Sequence, residues 1–170
     1  MYKTKRYISK DSHSEKPQLT GSKLRSYAYA LLARKEYSKA ELTQKLQQYA
    51  QDLDEVHTII EQMIEYNYQN DERYAQQMFR SQLIKGQGPQ RIKHKIQQKS
   101  VDVQFIEEQL ESTNWLAEAY KLKVRKFGEE VATDPKMKAK QIRFLQYRGY
   151  SLDIIFKVIE MKITDEIDEA

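Results

Sequence analysis

The sequence predicts an all-α fold: tandem repeats of three-helix, helix-turn-helix-like modules stacked in an elongated array. Three observations predict it. Helix breakers are scarce, with five glycines and three prolines in 170 residues, against 18 glutamines and many Leu, Lys, Glu and Arg. Apolar residues return at three-and-four spacing in one segment after another, the pattern that lines a single buried helical face. Cap and core positions also keep one register. Leu145, Gly149, Ser151, Ile155 and Ile159 follow Ile96, Ser100, Asp102, Ile106 and Leu110 by 49 residues each. A lone three-helix unit buries too little apolar surface to be stable, so the copies are expected to pack on one another. One compact nine-helix domain is the competing arrangement.

Residues 1–20 are polar, basic and bounded by Pro17 and Gly21, and are expected to form a flexible basic tail. The first module, 21–70, opens on a helix carried by Leu24, Tyr27, Ala28, Leu31 and Leu32. Ser38 followed by Glu41 is a capping box for a second helix with Leu42 and Leu46 on its apolar side. Val56, Ile59, Ile60, Met63 and Ile64 carry the third.

The second module, 71–112, starts with Tyr74, Ala75, Met78, Phe79 and Leu83 and pauses near Gly86. Gly88-Pro89 restarts the chain with proline in a first turn, where its missing N–H does no harm. Ile92 and Ile96 then repeat the spacing of Leu42 and Leu46, and Asp102 is expected to cap a helix buried through Phe105, Ile106 and Leu110.

The third module, 113–162, runs from Trp115 through Leu116, Ala119, Tyr120, Val124 and Phe127. Asp134 is expected as the next N-cap, with Pro135 as first helical residue. Gly149 is expected at positive φ in the turn Arg148-Gly149-Tyr150-Ser151, with Ser151 capping the last helix. Residues 163–170 form an acidic C-terminal tail.

Charge is segregated along the chain. Residues 52–72 hold seven acids and no base, 80–99 six bases and no acid, and 121–148 nine bases against three acids. If the helices bring the basic blocks to one face, they form a positive stripe for a phosphate backbone or an acidic protein groove. If not, the alternation serves to satisfy neighbouring helices.

Catalytic signatures are missing from the sequence. It has no cysteine, and its three histidines, His13, His57 and His94, are far apart. There is no HExxH, no phosphate-binding Gly-Lys-Ser/Thr loop and no acidic metal signature, so neither enzyme activity nor a cofactor or metal is expected. Without a long apolar run or a secretory h-region, a soluble cytoplasmic protein with no membrane contact is expected. Tyr27, Tyr74, Tyr120 and Trp115 fall at core spacing, and are read as packing with the polar tip at the surface.

Ala30-Leu31-Leu32-Ala33-Arg34-Lys35-Glu36-Tyr37-Ser38-Lys39-Ala40-Glu41-Leu42, with Lys45 and Leu46, is similar to the opening repeat of the bacterial RecX family, regulators of the RecA recombinase. Tyr68-Gln69-Asn70-Asp71, Tyr74-Ala75, Phe79-Arg80, Lys85-Gly86-Gln87-Gly88-Pro89 and Arg91-Ile92 resemble its middle repeat. Lys138, Lys140 and Arg143-Phe144-Leu145-Gln146-Tyr147-Arg148-Gly149-Tyr150-Ser151 resemble the closing one. The likeness spans about residues 22–162. Where the family commonly has Gly-Tyr before two acids, this chain has Asn67-Tyr68 and then Asn70-Asp71. Asn67 tolerates left-handed backbone, and Asp71 is expected to cap the following helix.

The resemblance implies a curved modular protein that binds the groove of a RecA filament on single-stranded DNA. It implies a negative regulator of filament extension, strand exchange, ATP hydrolysis and coprotease activity. An array with polar ends gives no reason to require a dimer, so a monomer is expected. Direct DNA binding through the helix-turn-helix-like turns is the alternative. The candidate partner-binding residues are Lys85, Arg91, Lys93 and Lys95 in the second module. In the third they are Lys138, Lys140, Arg143, Tyr147 and Arg148. Arg91 and Lys95 form an i, i+4 pair on one helical side, whereas Arg148 beside Gly149 could instead bond C-terminal helix carbonyls. Tyr150 either joins that interface or seals the helix pair.

Overall fold

A computed structural model describes residues 18–161, so most of the N-terminal tail and the acidic C-terminal tail lie outside the described residues. The described chain is helical, in the order α1 (Gly21–Leu32), α2 (Lys39–Gln47), α3 (Leu53–Glu65), α4 (Asp71–Ile84), α5 (Pro89–Gln97), α6 (Glu107–Ser112), α7 (Trp115–Phe127), α8 (Pro135–Arg148) and α9 (Leu152–Glu160). A 3-10 turn, Val103–Ile106, leads into α6.

The helices group by threes around separate apolar cores. Leu24, Ala28, Leu42, Leu46, Ile59 and Met63 fill the first, between α1, α2 and α3. Tyr74, Phe79, Ile92, Ile96 and Ile106 fill the second, and Ala119, Leu145, Tyr150, Ile155 and Val158 the third.

The recurrent register is a recurrent helix ending. At the end of α8 the Gly149 N–H donates to the Gln146 carbonyl (3.0 Å) and the Tyr150 N–H to the Leu145 carbonyl (3.2 Å), with Gly149 at φ +93°. Ser100, at φ +55°, closes α5 in the same way: its N–H donates to Gln97 (2.9 Å) and that of Val101 to Ile96 (3.4 Å). Each ending needs one left-handed residue followed by an apolar one that returns to the core.

Most caps sit where the sequence places them. Ser38 and Glu41 make the reciprocal box, Asp102 accepts from the Gln104 N–H (2.9 Å), and Asp134 accepts from Lys136 and Met137 with Pro135 first in α8. Asn67 is left-handed at φ +56°.

Four expectations need correction. Asn70, not Asp71, caps α4, through the Arg73 N–H (2.9 Å). Asp71 instead reaches across to the first module, accepting from the Lys39 N–H at the start of α2 and from Gln69 (both 2.8 Å). Ser151 holds the N-cap position of α9, but its hydroxyl makes no capping bond. Residues 18–20 are not part of a loose tail: Leu19 pairs with the first module, donating to Tyr49 (2.6 Å) and accepting from Gln51 (3.2 Å). The Tyr120 hydroxyl is buried rather than at the surface, with no hydrogen-bond partner among the described residues.

The two joints differ in chemistry. The first is polar. Arg73 forks onto both Glu36 oxygens and also donates to the Asn67 and Tyr68 carbonyls, while Lys99 pairs with Glu41 (2.7 Å). The second is apolar and made of backbone. Trp115 packs against both the second and third cores, edge-on to Phe79 and to Tyr150, and its ring N–H donates to the Leu110 carbonyl (2.8 Å).

Candidate functional site

At the second joint the end of one helix meets the start of another. The left-handed turn at Gly149 leaves the last carbonyls of α8 facing the first amides of α5. There the Gly88 N–H donates to the Arg148 carbonyl (2.8 Å) and the Gln90 N–H to the Gly149 carbonyl (3.2 Å). Each helix end satisfies groups that the other leaves without an internal partner, and their dipoles align. Only glycines permit this approach. A Cβ on Gly88 would lie 2.6 Å from the Gly149 carbonyl carbon, and one on Gly149 2.5 Å from the Arg91 nitrogen.

Docking α8 onto α5 gathers the cations. Arg148 reaches back to donate to the Lys85 carbonyl at the end of α4 (2.8 Å), its guanidinium over the Phe144 ring. Arg91 lies over the ring of Tyr147, 5.3 Å from its centre, and Tyr147 stays 71 % exposed. One turn after Arg91, the Lys95 ammonium donates to Gln82. Burial, and then the charges of Arg91, Lys85 and Arg148, push that ammonium below its usual lysine value. Among the described residues no carboxylate pairs with any of these four cations. The site is a cationic patch around one exposed aromatic ring, held by backbone from two modules.

Not every expected residue belongs to it. Lys93 stands two residues from Arg91, on the other side of α5, and borders a depression with Asp102, Glu107 and Glu111. Lys138 lies along the Leu145 face of α8, half a turn from Tyr147. Lys140 lines a separate recess with Lys126, Glu130 and Asp134. Arg143 is exposed one turn before Tyr147 on the same face, so it extends the patch.

One cation escaped the sequence reading. Arg125, in the last turn of α7, comes within 3.3 Å of where a Gly86 Cβ would stand, beside Lys85. Its spacing from Lys121, four residues earlier, was the available signal. Arg148 does bond a helix-end carbonyl, but that of α4 rather than its own helix. Tyr150 seals the helix pair at 1 % exposure; burial, then Glu118, push its phenol up to about 12 against the opposing pull of Arg148 and Arg125.

Among the described residues no group of His, Cys, Asp or Glu is placed to hold a metal, and no helix is long and apolar enough to cross a membrane. The fold and site together define an all-α helical repeat protein with a cationic joint between modules.

Comparison with known proteins gives the family. Residues 70–110 match the model of the second three-helix domain of RecX, and residues 114–159 that of the third. The chain is 50 % identical over 152 residues to the regulatory protein RecX of Acinetobacter baylyi, covering 89 % of this chain and 96 % of that one. It is 36 % identical over 140 residues to the regulatory protein RecX of Vibrio parahaemolyticus, covering 81 % and 90 %. The crystal structure of RecX from Lactobacillus salivarius superimposes with a TM-score of 0.69 over 81 % of this chain and 93 % of that one, at 23 % identity, a likeness of fold. The chain belongs to the RecX family, which is a family of regulatory proteins and not of enzymes.

Proposed function

We propose that this chain acts in the cytoplasm as a monomeric negative regulator of the RecA recombinase. It binds in the groove of the RecA filament on single-stranded DNA and limits filament extension, strand exchange, ATP hydrolysis and coprotease activity. One observation carries the reading. Lys85 at the end of α4, Arg91 and Lys95 from α5 and Arg148 from α8 crowd one side of the second joint, with no carboxylate among the described residues paired to them. Their mutual repulsion is relieved when an anionic surface supplies the missing charge, and the arginine forks favour planar carboxylate or phosphate partners. Family membership supports the choice of a recombinase as that partner.

The experiment is titration into a strand-exchange or ATPase assay containing recombinase and single-stranded DNA. A variant with Lys85→Glu, Arg91→Glu and Lys95→Glu runs beside the wild type. Arg148 is left intact because it also holds the joint. Wild-type protein is expected to inhibit at micromolar concentration, and the variant, still helical by circular dichroism, to lose that inhibition. No inhibition by the wild type refutes the proposal. Equal inhibition by the variant moves the contact off this joint.

A further inference from the structure

Beside the cationic patch lies an aliphatic feature that charge alone leaves unexplained. An open notch of about 340 Å³ runs between the end of α4 and α7. Leu122 forms part of it at 4 % exposure, together with Leu83 and with Ile84, which is 80 % exposed at the last position of α4. Exposed isoleucines are ordinary singly. This one borders a recess, directly before Lys85.

Charged groups surround the notch. Lys121 is paired with Glu118 (2.9 Å), whereas Arg125 has no carboxylate partner among the described residues. Through Lys85 and Gly86 the notch continues into the patch of Arg91, Lys95 and Arg148.

We propose that this notch seats one large apolar side chain of an acidic protein segment, whose flanking carboxylates meet Lys85, Arg125 and the neighbouring arginines. The inference rests on the reading of the joint as the partner site and specifies that the partner group is peptide. Nucleic acid is the poorer occupant. Single-strand binders stack bases on aromatic faces, and no aromatic side chain lines the notch. The exposed ring nearby, Tyr147, already has Arg91 over it. An apolar anchor between acidic residues matches both the notch and its charge.

The test uses the full chain and fluorescein-labelled peptides in anisotropy titrations, with no recombinase present. One peptide is acidic with a central leucine, a second has alanine there, and an oligothymidylate of equal charge is the third probe. The leucine peptide is expected to bind about tenfold more tightly than the alanine peptide, the effect of burying one aliphatic side chain. Ile84→Asp is expected to abolish that preference while keeping weak, salt-sensitive binding, and Arg125→Glu to weaken both peptides together. Thermal melts check that each variant is folded.

Equal binding of the two peptides overturns the proposal, as does a leucine preference that survives Ile84→Asp. Tighter binding of the oligothymidylate than of the leucine peptide makes the occupant nucleic acid and also overturns it. So does a dimer in sedimentation equilibrium that Ile84→Asp dissolves, which makes the occupant a second copy. A wild-type protein that inhibits the filament yet shows no leucine preference refutes this inference alone.

Discussion

Three glycines separate the ways in which adding one methyl group can harm this protein. Gly128 has φ +86° with nothing within 4 Å of a Cβ, so Gly128→Ala meets backbone strain alone. That costs about 1–3 kcal/mol in a region open essentially to glycine, less any relief from loop movement. Gly88 is the opposite case. Its φ of −80° suits any residue, but its Cβ would stand 2.6 Å from the Gly149 carbonyl. Gly88→Ala therefore costs about 1–3 kcal/mol in overpacking, plus about 1 for each cross-joint hydrogen bond the displacement breaks. Gly149→Ala meets both penalties, since its φ is +93° and its Cβ would lie 2.5 Å from the Arg91 nitrogen. Left-handed strain adds about 1–2 kcal/mol, so this single change is the most damaging of the three.

The sharper test is the double variant. Once Gly88→Ala has forced α5 away from α8, the clash at Gly149 no longer exists. The pair should fall short of the sum of the singles by at least about 1 kcal/mol. Urea unfolding followed by Trp115, the one tryptophan, which packs between the two modules, measures all four proteins. Additive costs, or a Gly88→Ala variant as stable as wild type, would show that the helix ends do not interlock.

Three further outcomes follow from other contacts. Burial raises the Glu41 carboxyl, but bonds from Lys99, Tyr74 and the Ser38 amide outweigh it and hold the group below its usual range. The unfolded chain thus binds that proton more tightly. The stabilisation is complete above the ordinary glutamate pKa and is lost as pH falls through the lower folded value, so urea midpoints should drop on that limb and Glu41→Gln should flatten it. Lys123 is wholly buried and its ammonium donates to the Glu129 and Glu130 carbonyls (2.8 and 2.9 Å). Lys123→Met should cost about 1–3 kcal/mol and speed amide exchange in residues 128–134; exchange unchanged there would refute its role as an anchor. Arg73→Ala removes the fork onto Glu36 and two carbonyl bonds at the first joint. It should lower stability by about 1 kcal/mol after solvent screening and broaden the small-angle scattering distance distribution, as added salt should in the wild type.

Helices were legible because their signals are local. Ser38 with Glu41, Asp134 with Pro135, and the i, i+4 apolar pairs act within one or two turns, and each module carries local signals of this kind. The register even anticipated that Ser100 and Gly149 do the same work, although only one of them is glycine. Convergence of charge was a different matter. It depends on α8 docking its carbonyls onto the amides of α5, a contact between residues some sixty positions apart that leaves only Gly88 and Gly149 as traces. Period alone would have separated Lys93 from Arg91 and Lys138 from Tyr147, since each pair falls on different sides of one helix. Asp71 shows the limit of local reading. Asn70 and Asp71 both have capping side chains, and the choice between them is made by the Lys39 amide from another module.

The contrast between the joints bears on where a partner is held. Ion pairs at the first joint lie partly in solvent, with Arg73 and Glu36 side chains 39 % and 22 % exposed, so salt screens them and the neighbouring modules gain freedom to move. Backbone bonds, two glycines and the shared Trp115 hold the second joint through forces that salt hardly touches. A cationic patch assembled from three helices keeps its geometry only where those helices are fixed to one another. Binding then orders few groups, and more of the electrostatic gain survives as affinity. The same patch at the first joint would lose its shape whenever Arg73 let go of Glu36. The placement of Arg91, Lys95 and Arg148 at the second joint is thus what the proposed partner site requires in order to keep a defined shape.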